Sequence, residues 1–66
     1  MLIELNGAAR RVAPRTTLAA LLVAEGLAER RVAVEINGEI VPKSRHATQV
    51  LAEGDVVEIV HALGGG

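Results

Sequence analysis

Sixty-six residues with a formal charge of −1 allow one domain, and a domain this small has little surface to bury. Half of the residues are apolar, but none is aromatic and none is cysteine. The core must therefore be packed from Leu, Val, Ile and Ala alone. The composition excludes a disulfide scaffold, the aromatic platforms of single-stranded nucleic-acid binders and any general attraction for phosphate backbones.

In chain order, "LIEL" alternates, placing Ile3 and Leu5 on one face and Leu2 and Glu4 on the other. Asn6-Gly7 follows, a pair that tolerates positive φ and so predicts a tight hairpin returning through Ala8 to Val12. Pro14 stops that strand, and Thr16 or Thr17 is placed to cap a helix through its hydroxyl. "LAALLVAEG" supplies the helix: Leu18, Leu21 and Leu22 share a face, Gly26 terminates it, and Leu27 folds back onto it. The other face, Ala19, Ala20, Val23 and Ala24, owes its apolar character mainly to the helix propensity of alanine.

"RRVAVEING" resumes a strand with Val32, Val34 and Ile36 inward, then Asn37-Gly38 turns into the short run "EIV", stopped by Pro42. The polar stretch 43–55 contains Val50 and Leu51, expected together to plug the open edge of the core. The last strand, "VVEIVHAL", has Val57 and Ile59 on one face and Val56, Glu58 and Val60 on the other. Being apolar on both faces, it predicts a central position beside the first strand and parallel to it. Hairpin, helix, strand, short strand and final strand predict an α+β β-grasp domain over residues 1–66. Its mixed sheet has four to five strands and one main helix on one face.

Chemistry is sparse. His46 and His61 lack a third partner for a metal, and no set of residues resembles a catalytic triad, so no metal site, no catalytic residue and no bound cofactor are expected. "MLIELNGAAR" lacks the order of a secretory signal and no apolar run approaches a membrane span, which predicts a soluble, cytoplasmic protein. Arg10-Arg11, Arg30-Arg31, Arg15, Lys43 and Arg45 read as a solvated surface, with a functional patch as the alternative. The uncovered sheet face carrying Leu2, Glu4, Ala33, Glu35, Val56, Glu58 and Val60 mixes aliphatics with carboxylates, which suits a reversible contact with a basic partner.

The chain finishes "HALGGG". Residues 63–66 predict a flexible tail, because glycine carries the largest backbone entropy cost and no side chain to pack. Only residues without Cβ thread a narrow channel in a second protein, so Gly64, Gly65 and Gly66 suit the delivery of a terminal carboxylate to an ATP-using enzyme. "AVEINGEIVPKS" followed by "LAEGDVVEIVHALGGG" resembles the ThiS family, ubiquitin-like sulfur carriers of thiamin biosynthesis, and the resemblance spans the whole chain.

That resemblance implies that the carboxylate of Gly66 is adenylated by a ThiF-like enzyme using ATP, converted to a thiocarboxylate, and donates sulfur to the thiazole synthase ThiG. It also implies a carrier, monomeric when free, that is a substrate of enzymes rather than an enzyme. Lys43 stands where the family commonly has Arg, and Gly64 is an additional glycine before the diglycine. Two other readings share parts of this pattern. A MoaD-like small subunit of molybdopterin synthase has the same fold and tail. A TGS-like module binding RNA or nucleotide needs no terminal glycine and favours a basic face, against the charge balance.

Overall fold

The computed structural model describes residues 1–61. The predicted tail and the last two residues of the predicted final strand lie outside them. The elements are β1 (Leu2–Leu5), β2 (Ala8–Arg11), α1 (Leu18–Ala24), β3 (Val32–Ile36), β4 (Glu39–Val41) and β5 (Val56–His61), with a single 3-10 turn at Lys43–Arg45. They form one five-stranded sheet in the order β2-β1-β5-β3-β4. Strand β5 is central, parallel to β1 and antiparallel to β3. This is the mixed sheet and single-helix arrangement that the sequence predicts.

Local chemistry fixes each boundary. Both Asn-Gly pairs turn as expected, with Asn6 and Asn37 at φ of 49° and 53°. Of the two threonines, Thr17 is the helix cap: its Oγ1 accepts from the Ala20 N–H at 3.1 Å. Thr16 instead donates its hydroxyl to the Ala13 carbonyl at 2.6 Å. At the other end Gly26 adopts φ 75°, which lets the Leu27 N–H reach the Leu22 carbonyl at 2.8 Å and closes the helix with Leu27 folded back.

Helix α1 buries Leu18, Leu21 and Leu22 against Ile3 and Leu5 of β1, Val34 and Ile36 of β3, and Val57 and Ile59 of β5. Val41 and Leu51 complete this cluster. Leu21, Val34, Ile36, Val57 and Ile59 are all in it, because helical spacing and strand alternation bring the same faces together, while Val32, also predicted inward, is half-buried and packs against it. Full burial of such a side chain contributes about 1.5–3 kcal/mol relative to leaving it exposed. The expected plug is corrected: Leu51 is buried, but Val50 is 49% exposed. Val50 forms an isolated antiparallel bridge with Thr17, so adjacent residues point to opposite sides. Strand β2 ends at Arg11, one residue before the predicted Val12, although Val12 still exchanges backbone hydrogen bonds with Met1.

The turn asparagines have a second task. Asn6 Oδ1 accepts from the Ile59 N–H at 2.7 Å, and Asn37 Oδ1 accepts from the Val56 N–H at 2.9 Å. The Asn37 amide also donates to Asp55 Oδ1 at 3.0 Å. Each hairpin is thereby tied to the central strand that enters last in the sequence.

Two outcomes follow from this packing. Leu21→Ala should destabilise the domain by about 2–5 kcal/mol, read from chemical denaturation, because it empties the middle of the helix–sheet interface. Asn6→Gly keeps the turn and removes only the tie to Ile59. It should cost about 1–3 kcal/mol, since the part-buried N–H loses its acceptor.

Candidate functional site

The open face of the sheet is set by register. Glu4 lies beside Val56 on the neighbouring parallel strand, and Ala9 of β2 lies on the other side of Glu4. Across β5 and β3, Glu58 faces Glu35 and Val60 faces Ala33, while Ile40 flanks Glu35 on β4. Leu2, Val56, Val60 and Ile40 are 42, 36, 57 and 63% exposed. Glu4 and Glu58 are exposed and Glu35 is half-buried. All seven residues predicted for this face, Leu2, Glu4, Ala33, Glu35, Val56, Glu58 and Val60, therefore lie on one surface.

Ile40 was missed by sequence reasoning. A three-residue strand carries too little alternation to fix its own parity, and only its pairing with Glu35 assigns it to the open face. Glu53 adds a further carboxylate at the edge, where its Oε1 accepts from the Leu2 N–H at 3.0 Å. The loop before β5 continues the pairing with β1, through Gly54 N–H to Leu2 and Glu4 N–H to Asp55.

Carboxylates outnumber cations on this face: among the described strand residues Arg11, opposite Leu2, is its one basic side chain against Glu4, Glu35 and Glu58. Glu35 and Glu58 are direct cross-strand partners, and among the described residues neither makes an ion pair. The one ion pair found there, Arg10 with Glu25, lies on the other side, where β2 meets the end of α1. Like charges directly opposite one another destabilise a strand pair. Retained beside exposed Val56 and Val60, they suit a partner that brings cations and covers aliphatic surface.

The two histidines do not meet. His46 is buried and its Nε2 lies 3.1 Å from the Val41 carbonyl, whereas His61 is exposed at the end of β5. Among the described residues no three potential ligands gather as a metal site, and no helix is long and apolar enough to cross a membrane. Gly64, Gly65 and Gly66 lie outside the described residues. Strand β5, which leads to them, runs through the centre of the sheet.

A mixed sheet of this order with one helix on one face defines the ubiquitin-like class of β-grasp proteins. The crystal structure of the thiamine biosynthesis protein ThiS from Geobacter metallireducens superposes over the full length of both chains, with a TM-score of 0.86 and 32% identity. The solution structure of a thiamine biosynthesis protein from the same organism covers all of this chain and 88% of that one, with a TM-score of 0.79. The model of the ThiS family matches residues 3–66, and the chain belongs to that family.

Among curated relatives, a protein named sulfur carrier protein ThiS from Bacillus subtilis is 44% identical over 50 residues, 76% of each chain. Two proteins named thiazole synthase match this whole chain. The one from Paramagnetospirillum magneticum is 46% identical and the one from Magnetococcus marinus 42%. The chain spans 20% of the length of each.

Replacing Glu58 by lysine turns the Glu35 repulsion into an attraction across the same pair. Glu58→Lys should therefore raise stability by about 0.2–1 kcal/mol. The gain, followed by thermal denaturation, should shrink as salt is added.

Proposed function

We propose that this chain is a sulfur carrier of thiazole formation in thiamin biosynthesis, loaded at Gly66. The observation that carries this reading is the family match, which runs through the glycines to residue 66. Whole-chain matches inside proteins named thiazole synthase support the second half of it. A carrier that works with such an enzyme gains effective concentration when both share one polypeptide.

In this reading the Gly66 carboxylate attacks the α-phosphorus of ATP in a ThiF-like enzyme, giving a glycyl adenylate and releasing pyrophosphate. A sulfide-level sulfur nucleophile then attacks the glycyl carbonyl, AMP leaves, and loss of the S–H proton gives the thiocarboxylate. The thiocarboxylate passes its sulfur to the substrate of a ThiG-type thiazole synthase. The carrier contributes no acid or base to these steps. It supplies a rigid domain for recognition and a slender reactive end, with ATP bound by the partner.

The open sheet face is the docking surface in this proposal. Its aliphatic residues fit a water-excluding contact, while Glu4, Glu35 and Glu58 select a basic counterpart and speed its approach. Tail and face then divide the labour, since the face supplies affinity and the glycines only have to reach.

ATP–pyrophosphate exchange with the cognate activating enzyme tests the reading. One residue added after Gly66 should abolish exchange, because the carboxylate no longer lies where the nucleotide is held. Gly65→Val should fail as well, since a β-branched side chain restricts the backbone and widens the tail. Both changes should leave stability within about 0.5 kcal/mol of the parent, because neither alters the described core. Full exchange by the extended protein would overturn the assignment of Gly66.

A further inference from the structure

On the helix side, away from the open face, the end of α1, the start of β3 and the 3-10 turn surround a cavity of about 110 Å³. Its floor is apolar, made by buried Leu22 with half-buried Leu27 and Val32, and buried His46 closes the inner wall. The rim carries Arg30, Arg31 and Lys43, all exposed. Among the described residues no Asp or Glu lines this cavity, and none of the three cations makes an ion pair. Three like charges around one depression repel one another, and an anionic partner relieves that repulsion.

The register locates this groove relative to the tail. Val32, in the groove, is the cross-strand partner of His61 at the end of β5. The groove therefore lies at the root of the segment that continues to the glycines. We propose that it docks an acidic segment of the enzyme that receives those glycines. One apolar side chain of the segment fills the space over Leu22, Leu27 and Val32, and flanking carboxylates meet Arg30, Arg31 and Lys43. This inference rests on the reading of Gly66 as the activated group and adds a second recognition surface to it.

The chemistry favours a protein segment over a small anion. A free phosphate or pyrophosphate gains nothing from an aliphatic floor, whereas a buried apolar anchor ringed by ion pairs is the usual form of a protein contact. In the reading of Gly66 as the activated group the tail enters the partner's channel extended, where five residues span up to roughly 17 Å, so cations at the root meet the entrance of that channel rather than the nucleotide.

The test uses the full-length carrier with reversed charges, Arg30→Glu/Arg31→Glu and separately Lys43→Glu, in ATP–pyrophosphate exchange with the cognate activating enzyme. The expected result is a KM for the carrier raised about tenfold or more at low salt, with the effect confined to KM and a weaker salt dependence than the parent. If the charge reversals disturb the circular-dichroism spectrum, Arg30→Gln/Arg31→Gln serves under the same criterion. A parent-like KM at low salt in a folded variant overturns the docking proposal while leaving the role of Gly66 intact. No exchange by the parent protein overturns that role and this inference with it. Saturable shifts of the Val32 and His46 amide resonances on titration with pyrophosphate, lost in Arg30→Glu/Arg31→Glu, would make the groove a small-anion site and overturn it too.

Discussion

Strand β5 must sit between β1 and β3, and the rest of the domain is arranged around that requirement. It is the last strand in sequence, yet it joins the two halves of the sheet: the β1–β2 hairpin on one side and the β3–β4 hairpin on the other. Val57, fully buried, and Ile59 lie under the helix, so the core is incomplete until β5 is in place. Neither hairpin alone covers the apolar face of α1. In a domain this small, without a disulfide, that coupling makes formation of the core nearly all-or-none.

The two asparagines show how short polar side chains enforce this topology. The turns need residues that accept positive φ, and glycine would satisfy that need as well as asparagine. Asparagine adds an acceptor, which Asn6 and Asn37 aim at N–H groups of β5 where regular pairing with the neighbouring strand has ended. The same residue closes a hairpin and stitches it to a strand far away in sequence. Between these ties the alternation of β5 has only one register that buries Val57 and Ile59 together.

A small domain that holds its core on one side of a sheet must leave the other side open, and here the two sides differ in charge. The open face bears Glu4, Glu35 and Glu58 among exposed aliphatics, with a like-charge pair across β5 and β3. The helix side bears Arg30, Arg31 and Lys43 around an apolar hollow near the end of β5. A net charge of −1 conceals this separation completely. Long-range fields depend on where charges lie more than on their sum, so a nearly neutral domain still offers an acidic patch on one face and a basic groove on the other.

By itself the sequence determined the elements, their order and the inward faces, because local chemistry sets all three. Asn-Gly demands a turn, a threonine at 16 or 17 and Gly26 bracket a helix, and alternation leaves one choice of buried side for β1 and β3. It also offers Gly66 as a candidate end group, since glycines without side chains carry their message in composition alone. Tertiary structure decided what alternation could not reach: the outward turn of Val50 beside buried Leu51, the place of Ile40 on the open face, and the bond of His46 to the Val41 carbonyl. It also decided that Lys43, twelve positions after Arg31, shares one groove with Arg30 and Arg31. Such groupings depend on contacts between segments remote in sequence, and no local propensity encodes which segments will meet.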